Sequence, residues 1–183
     1  MKITLRNFIL NIIYSIFCLV NKQSNLVLYK GSGKADVFEN ISIISDYLNS
    51  EKIPHIITDR PRRTLDFMLL LWNISKAKIL IYDSQNPCAF IRKKKTIFIN
   101  CWHASGAYKT LAYDAIIDKE NEEKEKRRVK RVYSGVDYWI CSSELQADIY
   151  SNATKIDRSK FIPIGIPRTD RIERRNEDKI KNL

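Results

Sequence analysis

The run Cys101-Trp102-His103-Ala104-Ser105-Gly106-Ala107-Tyr108-Lys109 holds one of only two histidines in the chain. It follows an apolar, β-rich stretch from Thr96 to Asn100 and leads into a glycine-containing turn. In open α/β sheets, ligands gather beyond the carboxyl ends of strands. Imidazole is the side chain that exchanges a proton near neutral pH. His103 is therefore the leading candidate for acid–base chemistry. His55, in His-Ile-Ile-Thr after Pro54, is expected at a strand edge with no chemical role.

Positioning such a ring requires a regular scaffold, and the chain alternates accordingly. Strands are expected over 26–29, 55–58, 78–82, 96–101, 138–141 and 161–164, with helices over 38–48, 64–74 and 118–132 and a further one starting near Ser142. Strands separated by helices imply parallel pairing. The expected fold is a Rossmann-like α/β sheet flanked by helices. Two strand ends lead through small polar residues into helices. Tyr29-Lys30-Gly31-Ser32-Gly33-Lys34 lacks the spacing of a phosphate-binding Walker loop. Cys141-Ser142-Ser143-Glu144 offers Ser142 as a helix N-cap with Glu144 in the first turn. Binding of an anionic ligand at that helix start is the second reading.

Bulk properties bound the partners. The 183 residues suit one domain, or one domain plus an appendage. With 32 basic against 21 acidic residues the formal charge is +11, so the expected partner is anionic: nucleic acid, an acidic membrane or a phosphorylated substrate. No helix-turn-helix, zinc knuckle or aromatic RNA-binding motif accompanies the charge, which places nucleic acid last. Residues 5–20 are apolar apart from Arg6, Asn7 and Asn11, and short for a membrane span. Flanked by Lys2, Arg6 and Lys22, they suit a helix lying in a membrane interface or a buried core helix. Residues 119–131 run acidic then basic, the order that complements a helix dipole, and are expected as a solvated helix face. Cys18, Cys88, Cys101 and Cys141 are widely spaced and are expected as reduced thiols, not a disulfide framework or a zinc site.

Three separated blocks then carry a resemblance. They are Trp102-His103-Ala104-Ser105-Gly106-Ala107-Tyr108-Lys109 with Asp114 beyond it, Val136 to Glu144, and Gly165-Ile166-Pro167-Arg168-Thr169-Asp170. In order and separation they resemble the CDP-glycerol glycerophosphotransferase family of teichoic-acid primases and polymerases, over roughly 25–170. Ala104 and Ala112 stand where that family's pattern has glycines.

The resemblance implies the amino-terminal, acceptor-side domain of a GT-B type transferase, with 1–24 as a membrane-interfacial helix, 25–170 as the Rossmann-like domain and 171–183 as a linker or tail. It implies transfer of glycerol phosphate, or a related polyol phosphate, from a CDP-activated donor to a polyprenyl-linked or polyol-phosphate acceptor. The work would be peripheral, at the cytoplasmic face of the cell membrane, against an anionic surface. His103 would be the base, with Asp114 orienting it or binding acceptor. Lys109, Ser142, Ser143, Glu144, Arg168 and Asp170 would contact substrate, with no metal or cofactor. Arg168 either grips a phosphate bidentately or pairs with Asp170 to fix an interdomain hinge. A donor-binding half with a second histidine is absent from these 183 residues, so the chain is expected to be inactive alone. The alternative expectation is a non-catalytic fragment that binds membrane or acceptor only.

Overall fold

A computed structural model describes residues 5–31, 40–87, 95–104, 106–117 and 120–170. Ser32 to Lys34, Cys88, Ser105 and the 171–183 tail lie outside the described residues. Six strands form one sheet: β1 (Asn25–Lys30), β2 (His55–Asp59), β3 (Ala77–Tyr82), β4 (Ile97–Asn100), β5 (Tyr138–Ile140) and β6 (Phe161–Ile162). Their order is β2-β1-β3-β4-β5-β6 and every pairing is parallel. The chain leaves β1 for the β2 edge and then crosses back to β3, so the order reverses at the β1/β3 boundary. That boundary is where doubly wound sheets open a crevice.

Side chains alternate across the strands and feed two apolar layers, as a sheet buried on both faces requires. Val27, Tyr29, Leu80, Tyr82 and Phe98 meet helices α1 (Leu5–Val20) and α3 (Thr64–Ser75). Leu26, Leu28 and Ile81 meet Ile41 and Leu48 of α2 (Asn40–Ser50). A third cluster of Trp102, Val136, Trp139, Cys141, Ala147, Tyr150 and Phe161 joins β5 and β6 to α5 (Glu144–Thr154).

Helix α1 is amphipathic, and its buried face agrees with the core-helix expectation. Leu10 and Tyr14 are buried in the first core layer, and Phe17 packs edge-on against Trp72 at 5.1 Å. Its other face leaves Leu5, Phe8, Ile12, Ile16 and Leu19 exposed. None of the described helices is long and apolar enough to cross a membrane. Helix α4 (Glu122–Tyr133) is the expected solvated face. Only Val129 is buried, while Lys126 pairs with Glu122 and Arg128 with Glu125, each at 2.7 Å. Such exposed pairs support the helix by only tenths of a kcal/mol each.

Candidate functional site

The carboxyl edge of the sheet gathers Gly31 after β1, Asp83 and Ser84 after β3, Cys101 to Ala104 after β4, Ser142 and Ser143 after β5, and the Gly165–Asp170 segment after β6. At the β1/β3 boundary the Gly31 N–H donates to the buried Asp83 carboxylate at 3.2 Å. A Cβ on Gly31 would lie 1.6 Å from Ser84 Oγ, so this approach of two strand ends requires glycine.

One strand further on, His103 is exposed, with Nδ1 3.2 Å from the backbone oxygen of Asp83. A carbonyl only accepts, so the contact places the proton on Nδ1 and leaves the Nε2 lone pair as the acceptor of the ring. That is the tautomer a general base needs. Behind the imidazole, the Trp102 ring lies at 4.4 Å, tilted by 34°. Trp102 adopts φ +28°, a left-handed conformation rare for a bulky residue and characteristic of functional turns.

This turn is held by carboxamides and a phenol that sequence reasoning missed. Asn40, at the start of α2 and fully buried, donates through Nδ2 to the carbonyl oxygens of Cys101, at 3.0 Å, and Trp102. Its Oδ1 accepts from the Arg168 N–H at 3.0 Å. Gln146 of α5, also buried, donates through Nε2 to the Ala104 oxygen at 3.0 Å. The Tyr150 hydroxyl donates to the Gly106 oxygen at 3.2 Å. Each partner lies more than forty residues away along the chain. Local pattern carries no signal of such contacts.

The other sequence candidates are distributed along the same edge. The α5 N-cap is Ser143, not Ser142: the Ser143 hydroxyl accepts from the Gln146 N–H at 3.2 Å. Ser142 instead points its hydroxyl and N–H at Gln146 Oε1, at 2.9 and 2.7 Å. The shift by one residue arises because the Gln146 carboxamide claims the first serine while spanning from Ser142 to the His103 turn. Glu144 is paired with Arg158, which also meets Asp148. Lys109 and Asp114 are exposed, Asp114 within a 3-10 turn (Ala112–Ala115) that packs against α4 and α5. Arg168 lies in a second 3-10 turn (Pro167–Thr169), with Asp170 exposed at its end. Gly165 enters that segment at φ +91°, its N–H donating to the Cys141 oxygen at 3.0 Å, so β5 and β6 end in register. His55 is held on both ring nitrogens, by Ser45 Oγ at 2.9 Å and the Ile53 oxygen at 3.0 Å. It sits on the edge strand in a structural role.

Cys101 is buried, and burial, with Asp83 nearby, pushes its thiol far above the ordinary range. Burial also raises Cys141. Neither supplies a thiolate nucleophile at neutral pH. Among the described residues no group of three or more His, Cys, Asp and Glu side chains is disposed to hold a metal.

A groove of about 490 Å³ lies beside the turn, between residues 112–117 and α4, with Gln85, Asn121, Lys124 and Arg128 among its lining. Tyr133 also lines it and reaches Trp102 at 6.0 Å. Ala112, on its wall, has φ +53°. Ala112→Gly is expected to leave stability within about 1 kcal/mol of the wild type, because relief of the left-handed strain offsets the lost methyl and added chain entropy. Ala112→Val is expected to lose roughly 2 kcal/mol or more, since a β-branched residue resists that conformation. Urea midpoints compare the two, and equal stability of both variants would refute the strain.

A parallel sheet whose strand order reverses at β1/β3, with an exposed imidazole at its carboxyl edge, places the chain in the doubly wound α/β class. Comparison with known proteins narrows the class. The chain belongs to the CDP-glycerol:poly(glycerophosphate) glycerophosphotransferase family, which matches residues 12–183. It is similar to a teichoic acid glycerol-phosphate primase of Bacillus subtilis (strain 168), 29% identical over 164 residues that cover 88% of this chain and 39% of that protein. It is also similar to a teichoic acid glycerol-phosphate transferase of Staphylococcus aureus (strain NCTC 8325 / PS 47), 20% identical, covering 97% of this chain and 50% of the relative. The fold matches a solved structure of the wall teichoic acid polymerase TagF with TM-score 0.72 at 20% identity, over 97% of this chain and 50% of that one. The chain thus spans half or less of the length of these relatives.

Proposed function

We propose that this chain is the acceptor-side lobe of a GT-B type transferase that moves glycerol phosphate, or a related polyol phosphate, from a CDP-activated donor to a membrane-linked acceptor. His103 Nε2 takes the proton of the acceptor hydroxyl as that oxygen attacks the phosphorus bearing the polyol. The bond from this phosphorus to the bridging oxygen breaks, and CMP leaves. The observation that carries the reading is the Nδ1 contact to the Asp83 carbonyl, which commits the ring to a base-competent tautomer. The names of the relatives agree with the reaction class, and a TagF variant has been solved after soaking with CDPG. Lys124 in the groove, with Lys109 and Arg168 along the edge, supplies positive charge for acceptor or donor phosphates.

The donor would be held by a second lobe, since the relatives are at least twice as long. The test is transfer of labelled glycerol phosphate from CDP-glycerol to a prenyl-linked acceptor, by this chain alone and joined to a donor-side lobe. Transfer in the joined form is expected. No transfer in either form, with both folded, would overturn the reading.

The workplace is the cytoplasmic membrane face in this reading, and the exposed stripe of α1 supports contact with a membrane surface. Phe8, Ile12, Ile16 and Leu19 recur at three- and four-residue spacing, with Arg6 and Lys22 near the two ends to meet anionic headgroups. Ile12→Asp with Ile16→Asp is expected to weaken sedimentation with phosphatidylglycerol vesicles at least about tenfold, because two apolar anchors worth over 1 kcal/mol each are lost. Unchanged vesicle binding by a folded double variant would remove α1 as the contact.

A further inference from the structure

We infer that Asn40 is a positioning residue that sets the place of the His103 imidazole relative to Arg168. The inference rests on the reading of His103 as the base. Asn40 has no access to solvent and bonds three backbone groups, so its role runs through the backbone it holds.

The Trp102 carbonyl belongs to the same peptide unit as the His103 nitrogen. By donating to that carbonyl, Asn40 fixes the plane from which the imidazole departs. The preceding unit is fixed as well, because the Trp102 N–H donates to Asn100 Oδ1 at 2.8 Å and the Cys101 carbonyl accepts from Asn40 at 3.0 Å. These bonds hold the φ of +28° at Trp102, a conformation that persists only where surroundings impose it. On its other side the same carboxamide accepts from the Arg168 N–H, joining the Pro167–Thr169 turn to the strand end that carries the base. Two carbonyls on Nδ2 and an N–H on Oδ1 leave a single orientation for the amide.

No other residue of this size repeats the pattern. Ionised Asp offers no donor to the two carbonyls, and Ala offers nothing. Ser retains one donor and one acceptor on a shorter arm. Losing the carboxamide frees the base and the Arg168 backbone from each other. A displacement of about 1 Å at a reacting group is enough to slow a reaction about 100-fold.

The experiment has two arms. In the chain itself, nitrogen NMR follows the His103 ring and hydrogen exchange follows the Arg168 amide. Asn40→Ala and Asn40→Ser are expected to move the Nδ1 signal and to speed Arg168 exchange at least tenfold, Ser less than Ala. In the form joined to a donor-side lobe, kcat for transfer is expected to fall about 100-fold in Asn40→Ala while KM changes less than threefold.

Ser45→Ala is the matched control. Ser45 lies on the same helix, is buried, and bonds His55 away from this edge. It is expected to lower the melting temperature with kcat unchanged. If Asn40→Ala cannot be obtained folded, Asn40→Ser decides. Unaltered His103 and Arg168 signals, or a kcat loss no larger than that of Ser45→Ala, would overturn the role. The NMR arm needs no turnover, so its failure sinks the role of Asn40 alone, whereas a wild type silent in transfer sinks the functional reading.

Discussion

His103→Ala in the form joined to a donor-side lobe is expected to lower kcat by 10²–10⁴-fold, the usual contribution of a positioned general base. The fold should survive. The ring is exposed, makes one hydrogen bond at 3.2 Å, and covers one side of Trp102, so its removal is expected to cost about 1 kcal/mol. His103→Asn is the sharper variant, because a carboxamide can still donate to the Asp83 oxygen but cannot accept a proton. Both variants should lose turnover alike while His103→Asn melts closer to the wild type. Turnover within tenfold of wild type in His103→Asn would show that the bond to Asp83, not proton transfer, is what the imidazole supplies.

The sheet was legible because its parallel strands announce themselves as short apolar runs. Residues 55–58 and 78–82 were expected as strands and lie within His55–Asp59 and Ala77–Tyr82. The helix expected over 64–74 is Thr64–Ser75. Less legible were the edges where chain leaves sheet. Phe161 to Ile164 was expected as a strand, yet pairing stops at Ile162, and Gly165 at φ +91° turns the chain back toward Cys141. The 3-10 turn at Ala112–Ala115 has no glycine or proline to mark it in the sequence; the Asp114 N–H bonds the Leu111 oxygen at 3.1 Å, and the turn packs on α4 and α5.

The candidate site divides in the same way. His103 was visible because a titratable residue at a strand end is a local pattern. Its supports were invisible because Asn40, Gln146 and Tyr150 act across long separations, and a lone Asn or Gln carries no local mark of burial. Of the two alanines set against glycines in the resemblance, Ala112 adopts the positive φ that favours glycine and Ala104 does not. Glu144 was singled out for its place after two serines, and the structure pairs it with Arg158.

Behind the His103 turn, Trp139 is expected to be the position where one substitution costs the domain most. It is fully buried, with the rings of Phe161 at 5.4 Å, Trp102 at 5.5 Å, Tyr133 at 5.9 Å and Tyr150 at 5.9 Å around it. Four aromatic neighbours cannot collapse together without moving β6, α4 and α5, so Trp139→Ala leaves a cavity that stays open. Such truncations cost about 3–5 kcal/mol, a large share of the roughly 5–15 kcal/mol that holds a domain folded. Trp139→Phe should be far milder. The indole Nε1 is buried with no hydrogen-bond partner, and an unsatisfied buried donor costs about 1–3 kcal/mol. Phe removes that N–H along with part of the ring, so the two changes oppose each other and a net loss near 1 kcal/mol is expected. Urea unfolding followed by the remaining tryptophan fluorescence measures both. A loss below about 2 kcal/mol for Trp139→Ala would mean that the cluster repacks. In that case the Trp102 ring, and with it the wall behind the imidazole, would be mobile enough to place the base in more than one position.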